Sequence, residues 1–315
     1  MKNKDKNVTR DQLGDLLKIF GQAVGVPTQQ DAQMMLEQSN LGSRLREVLD
    51  QAACYPAEQS DVTVGYPEGY PGPRPLIKQV EILAERFSLD PTNAFKVIWE
   101  TGDKHKCAEG WFAAVNWKVL GDDYMEQCWK VFDWIREYSK TPADPKRGHG
   151  ELGMFSQDLI GKLNDEQIGF HPSYNNWRSR HPQSDKDPIW IFPAQFGFGR
   201  AGQSHRRAVE LCKRTETEYP LSIFEVACMI AVHPERLGKG GYGKELHAVC
   251  PGSVEIPKPD ALYHDGLDGR HFDFYGVGAV TVNKYDRYCS FVSNTSGSLA
   301  HMGPVTAWTW QRQER

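Results

Sequence analysis

Residues 189–214 constrain this chain more than any other segment, because three kinds of local structure follow one another within it. The apolar run IWIF is typical of a buried strand, three glycines follow, and a basic amphipathic helix completes the segment IWIFPAQFGFGRAGQSHRRAVELCKR. A helix N-terminus presents unpaired main-chain N–H groups and the positive end of the helix dipole. With arginines beside it, this order predicts an anion-binding loop and helix.

The predicted anion site consists of the loop glycines, the cap residue and the nearby cations. Its members are Gly197, Gly199, Arg200, Gly202, Ser204, His205, Arg206 and Arg207. Ser204 is expected to cap the helix, and Arg200 and Arg206 are expected to face solvent, where guanidinium groups can grip phosphate or carboxylate. The ligand would be a phosphate-bearing molecule or an acidic protein surface. The alternative is a tight glycine connection beside a solvated basic helix face.

Two more specific ligands are not favoured by the sequence. The glycines fit G-x-G-x-x-G, but Glu216 and Glu218 follow too closely to bind a ribose, and the next segment is another helix. Residues 264–273 concentrate two histidines and three aspartates, yet turns select Asp and Gly for their own conformation. We therefore predict neither a dinucleotide site nor a metal site, and the sequence identifies no cofactor.

The distribution of charge bears on the class of partner. The 315-residue chain carries a net charge of −4, but residues 171–214 contain eight Lys or Arg against three Asp or Glu. An acidic chain argues against a general nucleic-acid binder, so nucleic acid stays open but not favoured. The seven cysteines form no C-x-x-C, no apolar run reaches membrane-span length, and the N-terminus lacks a signal-peptide core. These features predict a cytoplasmic protein without a membrane partner.

Hydrophobic periodicity predicts an α+β protein in three parts. A helical N-terminal unit spans residues 1–60, a helical middle region spans 61–145, and a domain of mixed helices and short, mainly antiparallel strands spans 146–315. In the middle region, Leu76, Val80, Leu83 and Phe87 recur on one helical face, and a second helix covers about 122–140. Residues 171–188 are interpreted as an exposed excursion.

The C-terminal domain is expected to contain one central helix and several short strands. Ser222 and Glu225 fit a capping box for the helix from Ile223 to His233, which is apolar almost all round and should be buried. After Gly238 the alternation of HFDF, RYCSFV and VTAWTW indicates strands.

Several blocks also resemble a known family. GWFAAVNWKVLGDDYMEQCWKVFDWI, IFPAQFGFGRAGQSHRRA, FEVACMIAVHPERL, HAVCPGS and SNTSGSLAHMG are similar, in the same order, to segments of conserved hypothetical proteins of ultrasmall candidate-phylum bacteria. The resemblance covers roughly residues 61–303. This chain differs by an insertion around His181, by CPGS from Cys250 where the family has an acidic CAGD, and by a tail past Gly303. The resemblance implies a bacterial protein and no particular activity.

Three classes of function follow from these patterns. The leading hypothesis is a non-enzymatic binding protein that holds an anionic group at the loop and helix. The first alternative is an enzyme acting on a phosphorylated or nucleotide-like substrate there, with His205 or His233 as acid and base. The second alternative is a structural or assembly subunit whose basic helix is an interface.

Overall fold

A computed structural model describes residues 58–62, 64–139, 168–170, 172–215, 217–236, 246–255, 272–275, 279–282 and 302–311. All of them lie in one compact unit, residues 54–315. The helices in these ranges are α1 Leu76–Phe87, α2 Thr92–Glu100, α3 Tyr124–Ser139, α4 Pro172–Arg180, α5 His205–Thr215 and α6 Ile223–Val232. The strands are β1 Gly110–Val115, β2 Ile168–Phe170, β3 Ile189–Gln195, β4 Glu218–Pro220, β5 His247–Cys250, β6 Ser253–Glu255, β7 Phe272–Tyr275, β8 Ala279–Val282, β9 Met302–Pro304 and β10 Thr306–Trp308. The predicted α+β class is confirmed.

The main sheet contains four antiparallel strands in the order β1-β3-β10-β4. Strand β3 is central and buried along its whole length, as its unbroken apolar run predicts. Strand β1 pairs with it from Gly110 opposite Ala194 to Val115 opposite Ile189. Strand β1 was not predicted, since the region before residue 145 was expected to be helical. Through β1 that region shares a sheet with strands of the predicted C-terminal domain.

The outer edge of β1 is covered by helix α1. The buried side chain of Gln79 accepts a hydrogen bond from the N–H of Ala113 at 2.9 Å and donates to the carbonyl of Trp111 at 2.9 Å. A third bond runs from Gln79 Nε2 to the carbonyl of Arg74 at 2.7 Å. An open strand edge would offer these groups to another chain, so Gln79 closes that route to edge pairing.

Helix α6 lies at the centre of the protein and packs against α3 and β1. Each of its ten residues is buried, which confirms the prediction made from its apolar circumference. The capping box forms differently from the expectation. Ser222 Oγ donates to the carboxylate of Glu225, and both belong to a buried cluster with Tyr124 Oη, 2.9 Å from Ser222 Oγ, and Tyr174 Oη, 2.6 Å from Glu225 Oε1.

Two smaller sheets complete the described part of the chain. Strands β8, β7, β5 and β9 form one sheet, in which β5 and β9 are parallel and the other pairs antiparallel. Strands β2 and β6 form an antiparallel pair. The predicted HFDF and VTAWTW strands correspond to β7 and β10, whereas RYCSFV lies outside the described residues.

Residues 171–188 were expected to form an exposed surface segment, and this expectation is wrong for helix α4. Tyr174 and Trp177 lie three residues apart on its inner face and are fully buried against other aromatic rings. The many polar residues of PSYNNWRSR hid this narrow apolar face. No helix in the described ranges is long and apolar enough to cross a membrane.

Candidate functional site

The loop of residues 196–204 connects β3 to α5 and contains most of the predicted anion site. A 3₁₀ turn spans Phe198–Arg200. Gly197 and Gly202 have positive φ angles of 112° and 76°, which favour glycine. A Cβ on Gly197 would also lie 2.7 Å from the carbonyl oxygen of Gly303. These glycines are therefore required by the path of the main chain.

The side chain of Gln195 holds the loop from within the sheet. Its Oε1 accepts hydrogen bonds from the N–H groups of Gly197 at 2.7 Å and Gly199 at 3.0 Å. Its Nε2 donates to the carbonyl of Pro304 at 2.6 Å and to Thr306 Oγ1 at 3.0 Å. The two main-chain donors that were predicted to bind an anion thus already have a partner within the protein.

Arg200 does not face solvent, and that expectation is wrong. Its guanidinium is buried in an ion pair with Glu218 of β4, with Nε 3.0 Å from Oε1 and Nη2 bonded to Oε2. Burial lowers the pKa of Arg200, but the hydrogen bonds and charge of Glu218 outweigh burial and hold that pKa above its ordinary value. Thr306 Oγ1 also donates to Glu218 Oε1, at 2.5 Å. The charge of Arg200 is therefore compensated inside the fold.

Ser204 caps helix α5 as predicted. Its Oγ accepts a hydrogen bond from the N–H of Arg207 at 3.0 Å. The same Oγ donates to the carboxylate of Glu58 at 2.5 Å, and the N–H of Ser204 donates to the carbonyl of Glu58 at 3.1 Å. Glu58 is buried, so a carboxylate from elsewhere in the chain occupies the N-terminus of this basic helix.

The segment around Glu58 pairs with the loop along its main chain. Gln59 forms an antiparallel bridge with Gln203, and the N–H of Ser60 donates to the carbonyl of Gly202 at 2.9 Å. A Cβ on Gly202 would lie 2.2 Å from the carbonyl oxygen of Ser60. Gly202 therefore permits the close approach of residues 58–60 to the start of α5.

The remaining predicted residues lie in the first turn of α5. A ring nitrogen of His205 is 3.1 Å from the carbonyl oxygen of Pro251. Arg207 is buried, and Arg206 precedes it in the first turn of α5. The structure thus brings the predicted residues into one region, but it satisfies Gly197, Gly199, Arg200 and Ser204 with groups of the protein itself.

A second cluster of side chains also bonds to the loop, and no sequence pattern predicted it. The carboxylate of Glu109 accepts hydrogen bonds from Tyr66 Oη at 2.7 Å, Tyr70 Oη at 2.9 Å and the N–H of Phe196 at 3.0 Å. Tyr66 Oη in turn accepts from the N–H of Phe198 at 3.1 Å. Burial and the negative charge of Glu109 raise the pKa values of Tyr66 and Tyr70, so both keep their protons.

Arg236 completes this cluster. Its guanidinium lies 4.6 Å from the ring centre of Tyr66, and Nη2 donates to the carbonyl of Phe196 at 3.0 Å. Nη1 donates to the carbonyl of Leu246 at 2.8 Å. A signal for the cluster exists in GYPEGYPGP, where the tripeptide GYP occurs twice and contains Tyr66 and Tyr70.

His233, a candidate acid or base, is fully buried at the end of α6. Its Nε2 accepts from the N–H of Arg74 at 3.0 Å, so Nδ1 carries the proton and donates to the carbonyl of Met229 at 2.8 Å. Burial lowers the pKa of His233 to about 4. The neutral imidazole links α6 to the segment before α1, and both of its nitrogens are engaged with the main chain.

The depressed pKa of His233 predicts a pH dependence of stability. Between about pH 6.5 and pH 4 the unfolded chain binds a proton at this residue and the folded protein does not, so acid lowers the free energy of unfolding. A His233→Gln variant should be less stable than the wild type at pH 7.5, and the difference should shrink as pH falls through this window. Urea melts at several pH values measure both. A difference independent of pH would contradict the assignment of a neutral buried imidazole.

Neither a metal site nor a protein family can be assigned to the described residues. No group of three His, Cys, Asp or Glu side chains in the described ranges could hold a metal ion, and the cluster at residues 264–273 lies almost entirely outside them. Comparisons with protein-family models, curated proteins and solved structures found no match.

Proposed function

We propose that this protein is a non-enzymatic binding protein whose helix α5 receives an anionic group, phosphate or carboxylate, at its N-terminus. The observation that carries the proposal is the Glu58 carboxylate, which lies 2.5 Å from Ser204 Oγ at the first turn of α5. An acid placed there interacts favourably with the positive end of the helix dipole. The Glu58 carboxylate thus occupies the position that we propose for the anionic group of a ligand.

The proposal is narrower than the sequence prediction. Gln195 accepts hydrogen bonds from the N–H groups of Gly197 and Gly199, and Glu218 pairs with Arg200. These three residues therefore stabilise the loop and are not assigned to the ligand. The proposed site is therefore the cap residue Ser204 together with the first turn of α5, residues His205, Arg206 and Arg207. An external ligand would take the position of the Glu58 carboxylate. Main-chain hydrogen bonds from Ser204 to Glu58 and from Ser60 to Gly202 hold that carboxylate's segment in place.

Binding is favoured over catalysis at this site. The enzyme alternative needs a titratable group with a pKa near the working pH, and the pKa of His233 is about 4 with both ring nitrogens bonded. His205 lies close to the carbonyl oxygen of Pro251. The imidazole of His233, with both nitrogens bonded to the main chain, does not support proton transfer to a substrate at the loop.

Variants of Glu58 test the proposal. Glu58→Ala empties the position, Glu58→Gln keeps a neutral hydrogen-bond acceptor there, and Glu68→Gln removes a charge from an exposed residue as the control. Without ligand, Glu58→Ala should be less stable by about 1–3 kcal/mol, because Ser204 loses a charged acceptor. Inorganic phosphate should then raise the melting temperature of Glu58→Ala most, of Glu58→Gln less, and of the wild type and Glu68→Gln least.

The gain in unfolding free energy behind this shift follows from mass action. It is about 2.7 kcal/mol when phosphate exceeds its dissociation constant a hundredfold. A glutamate-rich peptide forms the second arm of the experiment. A shift with the peptide alone would assign an acidic protein surface, and a shift with phosphate alone would assign a phosphate-bearing ligand. Equal shifts in all four proteins, or no shift in any, would reject the site.

A further inference from the structure

Residues 58–60 lie on the glycine loop as a short paired segment, and main-chain hydrogen bonds hold them there. The N–H of Ser204 donates to the carbonyl of Glu58 at 3.1 Å, and the N–H of Ser60 donates to the carbonyl of Gly202 at 2.9 Å. Between these two bonds, Gln59 lies opposite Gln203 in an antiparallel bridge. Peptides that bind by adding a strand to a protein use the same pattern of bonds.

The surface under this segment accommodates a main chain with one carboxylate. Glu58 Oε2 accepts a hydrogen bond from Ser204 Oγ at 2.5 Å, and Gln59 Nε2 donates to the carbonyl of Ala201 at 3.3 Å. Gly202 permits the close approach, because a Cβ there would clash with a carbonyl oxygen of the paired segment. An occupant of this surface must therefore supply an acid for Ser204 and N–H donors for two carbonyls.

A small anion meets only part of this requirement. Phosphate or a free carboxylate can replace the Glu58 carboxylate as the acceptor for Ser204 Oγ. Neither supplies N–H donors for the carbonyls of Ala201 and Gly202, both of which are buried residues. A buried carbonyl that loses its donor is unfavourable. A peptide segment satisfies the acid site and the carbonyls together.

One atom of this surface lacks a partner while residues 58–60 occupy it. Gln203 Oε1 is buried, and within the described part of the chain no donor bonds to it. Buried acceptors without a donor are rare in folded proteins. Because Gln203 lies across the bridge from Gln59, a ligand side chain at the position of Gln59 could supply the missing donor. The chain's own segment is therefore an incomplete fit to the surface.

Residues 58–60 carry no apolar side chain that would fasten them to the loop. Of the residues that follow, Asp61 is exposed and Val62 is 41% exposed. Burial of apolar surface is the dominant favourable contribution to folding, and these three polar residues contribute little of it. Their release exposes polar groups that water can solvate, so another polar segment can replace them.

We infer that residues 201–204 bind a peptide segment of a partner protein that carries one glutamate, and that residues 58–60 occupy this surface until the partner displaces them. The inference rests on the proposed function and names its class of ligand. The partner's glutamate takes the place of Glu58 at Ser204, and its main chain replaces the two main-chain bonds. A run of acids is disfavoured, because Asp61 and Glu68 are exposed in the adjoining stretch and would repel it.

Fluorescence anisotropy with a labelled peptide of residues 55–62, YPAEQSDV, tests the inference on the full chain. The double variant Glu58→Ala with Ser60→Pro opens the surface, because it removes the carboxylate and the N–H bonded to Gly202. It should bind the peptide at least about tenfold more tightly than the wild type, whose tethered segment competes at an effective concentration of the order of mM. Glu58→Ala with Ser60→Ala keeps that N–H and should bind with intermediate affinity.

Altered peptides test the two parts of the contact separately. Replacing the glutamate of the peptide by alanine removes the acid, and replacing its serine by proline removes the N–H that bonds to Gly202. Each change should weaken binding to the double variant by about tenfold or more. Replacing the aspartate of the peptide by asparagine is the matched control and should leave the affinity unchanged, because Asp61 is exposed.

Inorganic phosphate separates this inference from the proposed function. If phosphate stabilises Glu58→Ala while the double variant fails to bind the peptide, or binds the proline peptide equally well, the ligand is a small anion and only the peptide inference is wrong. A wild type that binds the peptide as tightly as the double variant would exclude displacement of residues 58–60. If neither phosphate nor the peptide binds any variant, the proposed function fails as well. Should melting curves show that the double variant is unfolded, Glu58→Ala replaces it, and the same order of peptide affinities is required.

Discussion

Replacing Glu218 by leucine should destabilise the protein by about 3–5 kcal/mol, because it leaves the guanidinium of Arg200 buried without its counter-charge. Arg200 is only 9% exposed, so water cannot replace the lost carboxylate without opening the loop. Thr306 Oγ1 would lose its acceptor in the same step. Urea-induced unfolding of the variant and the wild type at neutral pH measures the loss.

A matched double variant separates the charge from the shape of this pair. Arg200→Met combined with Glu218→Leu removes both charges and keeps similar volume, so most of the lost stability should return. The recovery should be incomplete, because Thr306 still lacks its acceptor. A double variant as unstable as Glu218→Leu alone would show that the ion pair contributes shape and hydrogen bonds rather than charge compensation.

Replacing Ile230 by alanine should cost about 2–5 kcal/mol in unfolding free energy. Ile230 is completely buried in α6, which lies between α3 and β1, so the removed carbons leave a cavity that packed neighbours cannot fill. The measurement is denaturant unfolding with the slope compared as well as the midpoint.

Ile77 provides a control of the same residue type. It also lies in a helix, α1, but it is 45% exposed. Ile77→Ala should change the unfolding free energy by no more than about 0.5 kcal/mol. If the two alanine variants lost equal stability, α6 would not be the packed centre of the protein.

The spacing of apolar residues was sufficient to predict those helices and strands that have a clear apolar face or are apolar throughout. The spacing of Leu76, Val80, Leu83 and Phe87 identified α1, and the unbroken apolar stretches identified β3 and α6. Strand β1 was missed because its residues GWFAAV carry no period-2 alternation, both faces of the strand being largely buried. Helix α4 was missed because only Tyr174 and Trp177 mark its inner face.

At the candidate site, the sequence predicted the local structure but not the distant residues that contact it. The position of the loop and the cap at Ser204 followed from local chemistry. The partners did not, because Glu58 lies 146 residues from Ser204 and Thr306 lies 88 residues from Glu218. A basic residue is interpreted as a free cation until the acid that neutralises it is located in space. Arg200 was therefore assigned to a ligand when the fold assigns it to Glu218.

The position of β10 has a consequence for the order in which the protein can be built. This strand lies between β3 and β4, although it follows both of them by a long stretch of sequence. On the ribosome, β3 and β4 therefore emerge before the strand that pairs with both of them. Until Thr306 is made, Gln195 and Glu218 lack the hydroxyl to which both are hydrogen-bonded in the folded protein. The glycine loop is completed only after β10 is inserted, so synthesis must pass residue 306 before Gln195 and Glu218 have this partner.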